Sequence, residues 1–477
     1  MLDFSNRKNR FIQLSEVPQS YIDKIKEMVK SDNYYPKYHI APHHGLLNDP
    51  NGLSFYNGEH HIFYQWFPLG PVHGLKHWYH VSTKDFIHFR DHGIAMFPDQ
   101  EYDSHGCFSG SAFPIGEKLF LFYTGNRMLE TGVFEPTQCL ATMNHLQEVK
   151  KQGVLVERDN STFTPNLRDP LVFQREGYFY MIVGAETIDE QGTLALYKGE
   201  TFGTLSLQGT VDIGVENFGF MWECPNYFEQ GEHGVLILSP QGISSPNKYD
   251  LKNVFSVVYF VGDKIDVEKN KYKNNGYIEL DKGFDFYAPQ TYEDDKDRRI
   301  LIGWLGNSKS EYPTDKNRWA HMLTIPRELT INEHKLLQKP IEELKDLRTS
   351  SQVLEAKTTL HSGSFELECE IESEFNITLQ NKDGENIHFS SNGHEYCLDR
   401  SNMSELYAEK FGTKRFAIRQ IKEKHNIRIF VDHSSIEIFC DSGETVFTSR
   451  FFIKNLSGLA VSGVSGNLYY LSEITQS

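Results

Sequence analysis

Apolar positions change period early in the chain. Between residues 15 and 31, Tyr21, Ile22, Ile25, Met28 and Val29 recur at helical spacing with charged residues between them, which predicts a single packing helix. Beyond it the pattern becomes one of paired strands. The stretch LSFYNGEHHIFYQW (53–66) reads as two aromatic-rich strands joined by Asn57-Gly58, a strong two-residue turn signal. Comparable pairs begin at Ser111, Leu171, Asn226 and Tyr287, so the starts step by 58, 60, 55 and 61 residues. Outer strands are legible between them, as in WYHVSTKDFIHF (78–89) and LALYKGETFGTLSL (194–207). A regular step of this size suits a four-stranded propeller blade with its loops, so five hairpins predict five blades. A series of hairpins in an all-β sandwich is the competing arrangement.

The repeat closes near IPRELTI (325–331), and IEELKDLRTSS (341–351) reads as a short helix and linker. Alternating strands then return in FELECEIES (365–373), NIRIFVD (426–432) and SSIEIFC (434–440), with Asp432–Ser435 as the turn of another hairpin. The predicted plan is all-β: an N-terminal helical extension (1–35), a five-bladed β-propeller (36–340), a linker (341–350) and a β-sandwich (351–477).

Composition agrees and narrows the classes. A chain of 477 residues is long for one core, and 34 Phe, 24 Tyr and 36 Gly against 9 Met favour strands and tight turns. A net charge of −17 argues against nucleic acid or an anionic membrane as a partner, while leaving room for a local basic pocket. The six cysteines are scattered without a CxxC pair or zinc spacing, as expected of reduced thiols. The first residues carry no apolar core of a signal peptide, and no apolar run approaches the roughly 18 residues of a membrane span. The expectation is a cytoplasmic protein.

The chemistry lies where acids fall in the repeat. Asp49 in LLNDPNG precedes the first hairpin, Asp169 in LRDPL the third and Glu223 in WECPN the fourth, each followed within two residues by proline. One Asp-Pro alone is an ordinary turn. Three acids at matching places in different blades would meet at one end of the central channel. Clustered carboxylates repel, so at least one should hold its proton near neutrality, which is what a glycosidase with one ionised and one protonated carboxyl requires. A metal site is the competing use, but these short motifs supply too few oxygens for calcium and no DxDxDG run is present.

At these residues the chain resembles glycoside hydrolase family 32, the invertases, fructan hydrolases and sucrose-6-phosphate hydrolases. The resemblance runs through YHIAPHHGLLNDPNGL (38–53), FYQWFP (63–68), HGLKHWYHVSTKDFIHF (73–89), FSGSA (108–112), RDP (168–170), ECP (223–225), PRELT (326–330) and IRIFVDHSSIEIF (427–439). It implies a propeller followed by a sandwich, and a retaining β-fructofuranosidase needing no cofactor or metal. By the same resemblance Asp49 is the nucleophile, Glu223 the general acid/base and Asp169 the transition-state stabiliser, with Arg168 holding a carboxylate. Asn48, Gln65, Phe108 and Ser109 would contact fructose; Tyr287 and Trp304 would either join them or belong to the core. Leu46-Leu47 stand where several extracellular relatives have Trp-Met, and His73-Gly74 with Lys76 and His77 replaces a pocket tryptophan. These forms look like the intracellular sucrose-6-phosphate hydrolase branch. They suggest His73, Lys76 and His77 as a cationic loop for a phosphate, or else a solvated loop without a ligand. Sucrose, fructans and transfer to a second sugar stay open as alternatives, as do an arabinan-type propeller enzyme and a silent carbohydrate-binding propeller. Asp-His-Ser at 432–434 replaces the more usual Asp-Arg-Ser, which is expected to alter a surface contact.

Overall fold

The helical period is realised as Gln19–Lys30, shorter than its sequence pattern because Pro18 caps its start and Leu14–Glu16 forms a separate 3-10 turn. The computed structural model describes residues 1–421 and 424–477. Ile22, Ile25 and Val29 are the buried stripe of this helix. Ile22 and Ile25 pack with Phe4, Leu46, Phe67, Leu69 and Leu75, which ties the N-terminal segment to the first hairpin.

All five expected hairpins are present, each opening a small antiparallel sheet. Their inner strands are Gly45–Tyr56, Cys107–Ile115, Phe163–Arg175, Met221–Gln230 and Tyr287–Glu293. The first turn closes as the sequence predicts, with Tyr56 paired to Glu59 and both Asn57 and Gly58 at positive φ. Each inner strand packs against the next, and the strand at 287–293 packs back on the strand at 45–56. The result is a propeller-like ring. It is latched where Trp319–Ala320 adds in parallel to Gly45–Leu46.

Residues 341–350 join the ring to the second unit. They hold a 3-10 turn, Glu342–Leu347, whose Leu344 and Leu347 are buried, and then enter strand Arg348–Val353. That strand belongs to a ten-stranded sheet with its own apolar core, including Phe365, Leu367, Ile438 and Phe447. The chain end leaves this sandwich-like unit, and Thr475–Gln476 pairs in parallel with His88–Phe89 of the first sheet.

Asp432, the first residue of the Asp-His-Ser stretch, is fully buried between the two units. Its carboxylate accepts the backbone N–H of Lys37 and Tyr38 at 2.9 Å and lies 2.9 Å from His39 Nδ1. The other ring nitrogen of His39 lies 2.9 Å from Glu437. Burial disfavours the imidazolium, but these two carboxylates outweigh it and raise His39 to about 9. Arg327, also buried, donates to Glu437 and Thr448 at 2.6 Å. His433, the residue that departs from the usual motif, sits in the left-handed turn and donates Nδ1 to Asn33 O at 2.8 Å.

Candidate active site

Every inner strand breaks register near the same end of the ring. The pairing slips between Leu47 and Pro50, Cys107 and Gly110, Glu223 and Asn226, and Tyr287 and Gln290. In the third sheet it slips opposite Ile182–Gly184, so Asp169 drops out between Arg168 and Leu171. A bulge bends its strand and re-aims the extra residue. Asp169, Cys224 and Ala288 take positive φ of 67°, 48° and 46°, each followed by a proline that has no N–H to offer the ladder. Such non-glycine conformations are strained, and surrounding contacts hold them. Asp169, for example, donates its own N–H to Thr124 Oγ1 at 3.0 Å.

The bulges deliver their side chains to one cavity of about 520 Å³. Asn48, Asp49, Gln65, His73, Lys76, Phe108, Ser109, Arg168, Asp169, Glu223, Tyr287 and Trp304 all line it. Leu46 and Leu47 do not: Leu47 packs in the core of the ring, and Leu46 packs among Phe4, Ile25 and Phe67 beside a neighbouring cavity. Alternation explains the difference, since Asn48 and Asp49 are turned inward by the bulge while the two leucines before it stay in regular pairing.

Asp49 accepts from Ser109 Oγ at 2.5 Å and from Asn48 Nδ2 at 3.2 Å. Burial raises its pKa; Ser109 and Asn48 oppose that shift, as does nearby Lys76, while Glu223 adds to it. Asp169 accepts the backbone N–H of Cys224 at 2.8 Å. Burial pushes it up to about 7, with Glu223 and Asp49 adding to the rise and Arg168 resisting it. Asp169 can thus hold a proton near neutrality, as clustering requires of at least one carboxyl.

Glu223 is held on both oxygens. Arg168 donates to Oε1 from Nε at 3.0 Å and Nη2 at 2.8 Å, while Gln241 Nε2 and Tyr287 Oη each lie 2.6 Å from Oε2. Tyr287 Oη also lies 2.9 Å from the carbonyl of Ser239. Asn48 bridges the site, donating to Gln65 and accepting Lys76 Nζ at 2.6 Å.

The cationic loop is not what its sequence suggests. Burial holds Lys76 down to about 7, with Asp49 opposing, and its Nζ donates to Asn48. Burial and Lys76 hold His73 in the neutral form. His77 turns away, donating Nδ1 to Leu75 O at 3.1 Å and packing on Phe97. The motif reading also missed Gln241, which hairpin register alone would have placed beside Glu223 because Glu223 pairs with Ser239. It missed Ser5, Arg7, Arg10 and Phe11, which line the cavity from the N-terminal segment. No local pattern could have revealed them.

Asp49, Asp169 and Cys224 present ligand atoms within 4.8 Å of one another. Burial and the adjacent carboxylates push the Cys224 thiol well up, so it stays protonated. Two carboxylates remain, short of the ligand count of a calcium or structural zinc site.

Known proteins resemble the chain in sequence and in fold. Residues 39–340 match the glycosyl hydrolases family 32 N-terminal domain, and residues 331–473 match the family's C-terminal domain. The chain is similar to a sucrose-6-phosphate hydrolase of Vibrio alginolyticus, 45% identical over 98% of this chain and 97% of that protein. Its structure resembles that of sucrose-6-phosphate hydrolase from Lactobacillus gasseri, with a TM-score of 0.94 at 30% identity over 98% of this chain and 100% of that one. A β-fructofuranosidase of Bombyx mori in complex with sucrose gives a TM-score of 0.84 at 28% identity, covering 95% of this chain and 97% of that one.

Proposed function

The chain belongs to glycosyl hydrolase family 32, and from that membership we propose that its cavity performs retaining hydrolysis with Asp49 as nucleophile, Glu223 as general acid/base and Asp169 as stabiliser. The protein is a glycoside hydrolase that cleaves the β-fructofuranosidic bond of sucrose 6-phosphate or sucrose. One observation carries the assignment of roles: the Tyr287 phenol stands between Glu223 and a second acceptor, an arrangement not found at Asp49 among the described residues. Among the described residues Asp49 is met by donors, Ser109, Asn48 and the Cys224 thiol, which suit an ionised nucleophile. Glu223 shares Oε2 with the Tyr287 phenol, whose single proton faces two acceptors. When Tyr287 gives its proton to Ser239 O, a proton on Glu223 Oε2 makes the remaining contact, as a general acid requires.

In the first step Glu223 delivers that proton to the glycosidic oxygen as Asp49 attacks the anomeric carbon of fructose. The glucosyl part leaves and a fructosyl ester on Asp49 remains. Water then attacks the same carbon, gives its proton to Glu223 and releases Asp49. Retention requires the two carboxyls to stand about 5–5.5 Å apart. Asp169, fixed by the Cys224 N–H, is suited to accept fructose hydroxyls as positive charge develops on the ring. Trp304 is buried, and its Nε1 has no hydrogen-bond partner among the described residues, so a sugar hydroxyl can satisfy it.

The same reading takes the five sheets before residue 340 as five blades, supported by their cyclic inner-strand packing. It places the enzyme in the cytoplasm, where phosphorylating import would deliver the substrate; no helix among the described residues is long and apolar enough to cross a membrane. NMR of the first-formed product tests the mechanism. The β-anomer of fructofuranose is expected, and initial appearance of the α-anomer would overturn retention. Comparing kcat/KM for sucrose, sucrose 6-phosphate and inulin ranks the substrates, and a preference for inulin would replace the disaccharide reading.

A further inference from the structure

The cavity holds more cations than its acids account for. Arg168 is committed to Glu223, and Lys76 to Asn48 beside Asp49. Two others line the same cavity: Arg7 and Arg10, on the 3-10 turn Arg7–Phe11. Neither pairs with a carboxylate among the described residues. Arg10 donates Nε to Phe4 O at 2.9 Å, which orients the guanidinium and leaves both terminal amino groups without a protein partner among the described residues. On a chain of net charge −17, two uncommitted arginines at the mouth of a site holding three carboxyls are a local reversal of sign.

The segment bearing them is seated rather than draped. Leu75 donates its N–H to Arg10 O at 2.8 Å, one residue from Lys76. A Cβ on Gly74 would come within 2.6 Å of that same carbonyl, so only glycine allows the approach. Phe4 meets Phe67 edge-on at 5.7 Å, and a Cβ on Gly70 would strike its ring at 2.2 Å. Phe11 packs on His105, with ring centroids 5.4 Å apart. The backbone of Arg10 is therefore fixed against the first sheet, and its side chain faces the cavity from a defined point. His73 lines that wall too, and its buried Nε2 has no hydrogen-bond partner among the described residues.

We infer that Arg7 and Arg10 form the subsite for the phosphate group of a phosphorylated sugar. This rests on the reading that the fructosyl unit lies at Asp49 and Glu223, with the phosphorylated leaving sugar directed outward to the rim. A dianionic phosphate cannot approach three carboxyls without compensating charge, and guanidinium groups meet phosphate oxygens through paired, charge-assisted hydrogen bonds. In the loop at 73–77, which the sequence offers either as a phosphate site or as a solvated loop, Lys76 donates to Asn48. The loop's structural part is to dock the segment that carries the arginines.

The test is steady-state kinetics on the full chain with sucrose and with sucrose 6-phosphate, for wild type, Arg7→Gln, Arg10→Gln and the double variant. The double variant is expected to lose at least tenfold more kcat/KM on the phosphorylated sugar than on sucrose, mainly through KM. Inorganic phosphate should inhibit wild-type sucrose hydrolysis competitively, and the double variant more weakly. A second arm uses Arg7→Lys and Arg10→Lys, which keep charge and should retain part of the preference. A wild type that prefers the phosphorylated sugar, with variants that keep the whole preference, overturns the subsite alone. Equal wild-type kcat/KM on both sugars removes the phosphate from the substrate reading, and the subsite with it.

Discussion

Replacing Glu223 by glutamine separates its proton from its place in the hydrogen-bond network. The carboxylate receives two bonds from Arg168 and lies 2.6 Å from both Gln241 and Tyr287. An amide can turn its oxygen to Arg168 and its NH2 to Tyr287, whose phenol then donates to Ser239. Only Gln241 is left facing a second donor. Two charge-assisted bonds become charge–neutral ones, a loss of about 1–3 kcal/mol from folding, which a protein of this size tolerates. The loss in turnover is larger. Without a proton to give, departure of the glucosyl oxygen should slow by about 10²–10⁴-fold, or about 3–5 kcal/mol of barrier. The discriminating assay compares sucrose with an aryl β-fructofuranoside whose phenolate leaves unprotonated. For Glu223→Gln, kcat/KM on sucrose should fall at least a hundredfold, and on the aryl substrate no more than about tenfold. Azide should then accelerate breakdown of the fructosyl intermediate. Equal losses on both substrates, in a variant whose melting temperature shows it folded, would refute the acid assignment.

Two further outcomes follow from the buried charges. His39 titrates at about 9 in the fold against 6.5 free, so its contribution is fully present below pH 6.5 and is lost as pH rises through 9. Urea titrations should show wild type losing up to about 3 kcal/mol relative to His39→Gln across that interval; parallel pH profiles would contradict it. Asp169 is raised too, to about 7 against 3.8 free, so its neutral form favours folding below pH 3.8 and that stability is lost as pH rises through 7. Asp169→Asn should therefore gain up to about 4 kcal/mol at pH 8 but nothing at pH 3.5, while turnover drops. A variant less stable at pH 8 would show that the carboxylate's hydrogen bond to Cys224 outweighs its burial.

Much of this protein is written locally. Strand pairs announce themselves through alternation and the Asn57-Gly58 turn, and a step near 60 residues follows from building similar sheets one after another. The three acids were legible because they share a position relative to those hairpins and a proline after it. Family motifs then supplied roles that spacing could not. What the chain's order could not express is which side chains face the cavity, because that depends on bulges in which Asp169 and Cys224 adopt backbone conformations their residue types disfavour. Leu46 and Leu47 sit two and one residues before Asn48 yet point into the core. Lys76 donates to Asn48 inside the cavity, and the Asp432 carboxylate is sealed against residues 37–39, contacts that no local pattern announces. Arg7 and Arg10 reach the cavity only because Gly70 and Gly74 let the N-terminal segment settle against the first sheet. Local pattern determines which elements form, since periodicity and turn chemistry act over a few residues. Burial, charge pairing and the mouth of the site are decided by contacts between segments far apart in sequence, which exist only once the ring has closed.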